Sequence, residues 1–171
     1  MRSIRKKLLR RRSQRGQSML EMALMMVVLL TILSGVLDLG RGFFSFIAIQ
    51  NAAGEGALYA AINPRCPHAS SPSDCTDPNN VDYRAKHESE SATERRLIDP
   101  ARMIVSVTYS DGTNQYSGAT IEEGQPVTVT VLYKFPMVGP FSGVFPNGEL
   151  TFMAHSTQNI LDLKKNGSLE P

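Results

Sequence analysis

Residues 15–37 read RGQSMLEMALMMVVLLTILSGVL, and the chain is organised around this stretch. Residues 22–37 carry no charge, and Thr31 and Ser34 are their only hydroxyls. Counted from Met19, the stretch has 19 residues, roughly 28 Å of helix at about 1.5 Å per residue. That length matches the ~30 Å hydrocarbon core of a bilayer. A backbone in lipid must satisfy its own hydrogen bonds, so the spacing predicts a membrane-spanning helix.

On its N-terminal side lie Arg2, Arg5, Lys6, Lys7, Arg10, Arg11, Arg12 and Arg15, eight positive charges with no acid among them. From Gln17 onward 10 Lys or Arg face 16 Asp or Glu, so the net charge of +2 is +8 and −6. Basic residues beside an apolar span stay cytoplasmic, which predicts a cytoplasmic N-terminus and an extracytoplasmic body. Two other readings share these residues. A cleaved secretory signal also starts basic and apolar but ends in a small-residue site; here the apolar run meets Asp38-Leu39-Gly40-Arg41, with no A-x-A pattern. A basic run also binds nucleic acid. This one lacks interleaved aromatics, and the adjoining apolar span accounts for it, so a lipid bilayer is the expected partner and nucleic acid is not.

At the junction, Gly16 closes the basic stretch and Glu21 follows five residues later, at the start of the apolar run. An ionised acid in a membrane helix costs about 2.5–3.5 kcal/mol at the centre and less near the interface, so a compensating partner is expected. The junction resembles the type IV prepilin processing site, a glycine followed by a mature chain whose fifth residue is glutamate. The resemblance implies cleavage between Gly16 and Gln17 by a prepilin-type peptidase, leaving the helix on the product. It also implies pairing of Glu21 with a terminal amine of a neighbouring subunit, a register device. Alternatively, Glu21 sits at a helix N-terminus, which favours an acid by itself.

Residues 38–61 extend the pattern with alanines and large apolar residues, and no proline occurs before Pro64. A helix continuous from Gln17 to Ala61 has 45 residues and is roughly 68 Å long, loosened at residues 40–42 and 54–56 by paired glycines. Asp38 and Arg41, three apart, share a helix face, either as a marker of the water boundary or as a subunit-pairing device. Phe43, Phe44 and Phe46 suit an interfacial belt, a core face or a packing surface. The blocks RGQSMLEMAL, DLGR and NAAGEGALYAA resemble, in order and spacing, the N-terminal pattern of TadE-like proteins over about residues 15–61. Arginines common in the last block are replaced by Gly54 and Leu58, so their roles do not carry over. The resemblance implies a minor pilin or assembly factor of a tight-adherence pilus, with pilin or pseudopilin subunits as partners.

Residues 63–80, NPRCPHASSPSDCTDPNN, read as a loop. Cys66 and Cys75 are the only cysteines, and an extracytoplasmic pair suggests a disulfide closing ten residues. A metal site from Cys66, His68, Cys75 and Asp74 or Asp77 is the alternative, but its spacing matches no familiar zinc arrangement. Residues 82–97 are charged and read as a solvated helix or a mobile segment; His87, Glu88, Glu90 and Glu94 lack an apolar frame for acid–base chemistry. Three period-two patterns follow, built on Met103-Val105-Val107-Tyr109, Val127-Val129-Val131-Tyr133-Phe135 and Leu150-Phe152-Ala154. Asp111-Gly112 and Asn147-Gly148 supply turns. Phe141, Val144 and Phe145, in an apolar connection, are expected to fold back over the sheet, with an exposed partner patch as the alternative.

These features predict an α+β fold: a long N-terminal helix, its first half transmembrane, then a small antiparallel sheet packed on it in a pilin-like way. The expected divisions are a leader (1–16), a transmembrane helix (17–39), its protruding continuation (40–62), a loop and polar segment (63–100), a β domain (101–160) and a tail (161–171). No phosphate-cradling loop, nucleophile elbow or HExxH occurs, and His68, His87 and His155 stand in unlike contexts. No catalytic residue, metal, cofactor or small-molecule substrate is expected. An unprocessed, membrane-anchored binding domain and an anchored extracytoplasmic enzyme are the alternatives to a pilus component.

Overall fold

The computed structural model describes residues 2–69, 75–88, 98–114 and 122–161, with side chains from Gly16 onward. Helix α1 runs Arg2–Ile62, 61 residues and roughly 90 Å long, without a break at either glycine pair. The expected loosening does not occur, because two of these glycines admit close neighbours. A Cβ on Gly42 would stand 3.4 Å from the Phe152 ring, and one on Gly56 would stand 3.1 Å from Val129 and 3.2 Å from Ala85. Packing there offsets the helix penalty of glycine, about 1 kcal/mol each. The helix also begins at Arg2 rather than after Gly16, which places Glu21 deep inside it. The reading of Glu21 as an acid at a helix start therefore fails for the uncut chain.

From Asp38 onward one face of α1 is buried, at Asp38, Gly42, Ser45, Ile49, Ala52, Ala53, Gly56, Ala57, Ala60 and Ala61. The spacing of three and four follows the helical period, so these residues form one stripe. Most are small, and the sheet lies close against the backbone. That sheet has the order β1-β2-β3, antiparallel throughout, from β1 (Met103–Tyr109), β2 (Pro126–Pro136) and β3 (Glu149–Asn159). The register sets Val105 opposite Val131 and Val131 opposite Ala154. The strands turn their alternating apolar residues to one face, which β2 and β3 lay on α1 and β1 on α2 (Val81–His87), and those of β1 and β2 are buried as the period-two patterns predict. Gly112, at φ 76°, and Asn147 and Gly148, at 56° and 68°, take the left-handed conformations that the two turns require.

Sheet and helix run alongside each other over their full common length. Residues 38 to 61 span roughly 35 Å of helix, and the 11 residues of β3 span roughly 33 Å. At the far end, Leu161 N–H donates to the Ala61 carbonyl at 3.1 Å. At the near end, the β2–β3 connection returns to Asp38.

Cys66 and Cys75 form a disulfide with Cα atoms 5.2 Å apart, which removes both sulfurs from the metal alternative. Asp74 lies outside the described residues. The polar stretch after it contributes to the core. Helix α2 (Val81–His87) is capped by the fully buried Asn80, whose side chain accepts from Tyr83 N–H at 2.7 Å and donates to Asp77 at 2.6 Å. Val81 and Ala85, one turn apart, are buried, and both approach Gly56 of α1. Four residues of spacing gave this short charged helix an apolar face that its composition concealed. Residues 89–97, with Glu90 and Glu94, lie outside the described residues.

Candidate functional site

The functional candidates lie along α1. Gly16 is exposed, and a Cβ built on it meets nothing within 4 Å. Packing among the described residues therefore gives no reason for glycine at this position. Gln17 is likewise exposed. Glu21 projects from the exposed segment and has no hydrogen bond or ion pair among the described residues. Around it the apolar segment is bare: its most apolar window of 18 residues is 0% buried. Thr31 Oγ1 donates to the Val27 carbonyl at 2.8 Å, satisfying a hydroxyl inside the helix as a lipid environment demands.

Asp38 marks the change from bare to buried helix. Its carboxylate is only 6% exposed. It accepts from Gly139 N–H at 2.7 Å and Val138 N–H at 3.4 Å, both in the β2–β3 connection, and from Arg41 at 3.2 Å. The Arg41 guanidinium also lies over the Phe135 ring, 5.3 Å from its centroid. The pair expected from spacing is thus formed, and its acid clasps backbone about a hundred residues away. A Cβ on Gly139 would stand 2.6 Å from Asp38 Oδ2 and 2.7 Å from Ser34 Oγ, so only glycine lets the loop come this close. Sequence reading missed this contact; Gly139 lies in a connection read only as apolar, and nothing local links it to a distant aspartate.

The connection itself departs from expectation. Phe141 and Val144 do not fold back over the sheet. Phe141 packs beside Gly35, 2.9 Å from a Cβ built there, yet stays 42% exposed, and Val144 is 76% exposed. The short 3-10 helix Pro140–Val144 and the Asp38 clasp hold the loop against α1 instead. An almost wholly apolar groove of about 670 Å³ opens between this loop, α1 and the sheet, with Leu39, Phe43, Phe141 and Phe145 on its walls. Phe46 packs on Phe152, whereas Phe43 and Phe44 are exposed.

The remaining polar candidates do not converge. His87 stacks on Tyr83, ring centroids 3.9 Å apart, and its Nδ1 lies 2.9 Å from the Tyr83 carbonyl. Arg84 covers the Tyr59 ring, and burial raises the Tyr59 hydroxyl above its usual value of 10.0 against the lowering effect of Arg84. Among the described residues no group of three or more His, Cys, Asp or Glu is placed to hold a metal ion.

Residues 16–58 match the family model described as TadE-like protein. This segment is TadE-like. The TadE-like span begins at Gly16, takes in Glu21, Asp38 and Arg41, and ends at Leu58; the disulfide, α2 and the sheet lie beyond it. The single described helix long and apolar enough to cross a membrane, Gly16–Ile62, contains the matched segment. No curated protein and no solved structure matches the chain.

Proposed function

We propose that the chain is a TadE-like minor pilin, cut by a prepilin-type peptidase between Gly16 and Gln17 and active in pilus assembly through its N-terminal helix. The observation that carries this reading is the bare α1 segment between Gly16 and Leu37, apolar on every side, with one acid, Glu21, that has no partner among the described residues. A helix exposed all round needs lipid or other helices to cover it. A lone acid in that surface needs a cation from outside the described chain. The α-amino group that cleavage creates at Gln17 on a neighbouring subunit is such a cation. The absence of a packing reason for glycine at position 16 among the described residues fits recognition of that residue by another protein. In this reading the leader stays cytoplasmic, the sheet domain is extracytoplasmic, pilin or pseudopilin subunits are the partners, and no catalysis is involved.

The test is the N-terminal residue of the protein recovered from membranes with the peptidase present. A terminus at Gln17, lost in Gly16→Leu, is the expected result. An intact leader in the wild-type chain would make the protein an anchored extracytoplasmic binding domain instead. Glu21→Ala should be cut normally yet enter the pilus poorly, and normal incorporation would overturn the register role.

A further inference from the structure

We propose that the Val138–Phe145 loop is a second membrane-contacting element, seated in the interfacial layer of the leaflet from which α1 emerges, with lipid acyl chains against the adjoining groove. The inference rests on α1 spanning a bilayer, and depth then follows from contacts. A hydrocarbon core of ~30 Å corresponds to about 20 helical residues. Centred on the uncharged run 22–37, it reaches about as far as Asp38. The loop touches α1 at Ser34, Gly35 and Asp38. Ser34 and Gly35 lie roughly 5 Å deeper than Asp38 along the axis. A loop packed there is at lipid depth whatever its composition.

Its construction suits that depth. The outward side chains are Val138, Phe141 and Val144, exposed by 74%, 42% and 76%. Much of its backbone is partnered within the chain. Val138 and Gly139 donate to Asp38, Ser142 to the Gly139 carbonyl, Phe145 to the Ser142 carbonyl and Gly148 to the Phe145 carbonyl, while Pro140 and Pro146 carry no N–H. Irregular backbone at membrane depth is tolerated only when it is satisfied in this way. Asp38 is neutralised by Arg41, which is half exposed. A soluble sheet domain would hide these side chains in its core; here they continue the bare apolar surface of α1.

The chain contains no tryptophan, so single-Trp variants of the full-length protein in phosphatidylcholine vesicles report position directly. Val144→Trp and, independently, Val138→Trp replace exposed residues. Leu29→Trp marks the middle of the span, and Gln158→Trp marks the far end of β3. Bromine placed on lipid acyl chains near the glycerol end should quench both loop tryptophans several-fold more than Gln158→Trp. Bromine near the methyl end should quench Leu29→Trp most. Quenched Leu29→Trp with loop tryptophans no more accessible than Gln158→Trp would overturn the proposal while leaving the span intact. Unquenched Leu29→Trp would remove the span and the proposal together. Loop tryptophans shielded from lipid only at high protein density would assign this face to a second copy of the chain and overturn the lipid assignment.

Discussion

The two halves of α1 are one continuous helix built on opposite rules. Between Gly16 and Leu37 large apolar side chains point in every direction and almost none is buried. Between Asp38 and Ala61 the buried face is made mostly of glycine, alanine and serine, with Ile49 a large exception and the partly buried Phe46 and Tyr59 at its margins. The first half leaves its surface for a partner; the second has found its partner in the same chain. The difference teaches that helix-forming sequence is shared, whereas side-chain size decides what can approach. Small residues let strand side chains come within van der Waals reach of the helix backbone, and β2 fills that space with Val127, Val129 and Val131.

Substitutions that exchange the two rules should break this contrast. The largest effect is expected at Gly56, where a side chain collides with Val129 and Ala85. Gly56→Val should destabilise the outer domain by about 3 kcal/mol or more, the upper range of overpacking, read as a lowered denaturant midpoint in detergent micelles. An unchanged midpoint would mean that the sheet does not rest on this face. Next comes the clasp between the halves. Asp38→Ala leaves the Val138 and Gly139 amides without their acceptor and should cost about 2 kcal/mol. Arg41→Ala, at a half-exposed partner, should cost under about 1 kcal/mol.

A counterpart in the bare half sharpens the comparison. Leu29→Ala creates no cavity in the outer domain and should leave its midpoint within about 0.5 kcal/mol of wild type. A shift comparable to that of Gly56→Val would show that the bare half supports the fold directly. The smallest effect is at Tyr59. Its hydroxyl is raised in the folded chain, so the folded state holds this proton more tightly than the unfolded one. The associated stability is present below pH 10.0 and lost as pH rises through the higher folded value. Tyr59→Phe should flatten that alkaline loss slightly, measured as the difference in midpoint between the two chains across the interval.

Much of this was legible in residue order. The uncharged run 22–37 identified the spanning candidate, and the alternation in residues 103–109, 127–135 and 150–154 identified three strands with their inward faces. The pattern from Gly16 through Asn51-Ala52-Ala53 led to the TadE-like match. These are local signals, because period and charge need only a few neighbouring residues. The burial of Val81 and Ala85 was hidden by the charges around them, and the glycines of α1 read as weak points when two of them are points of close approach.

The sequence by itself determined the long helix, its apolar first half, the strand faces and the candidate cysteine pair. Only the tertiary structure decided that Asp38 holds Gly139, that α2 belongs to the core, and that the Phe141 loop lies along the helix rather than over the sheet. The physical reason is distance along the chain. Periodicity reports which way a side chain faces, but a carboxylate and an amide about a hundred residues apart meet only after strand register and helix length have brought the two ends of the domain to the same level.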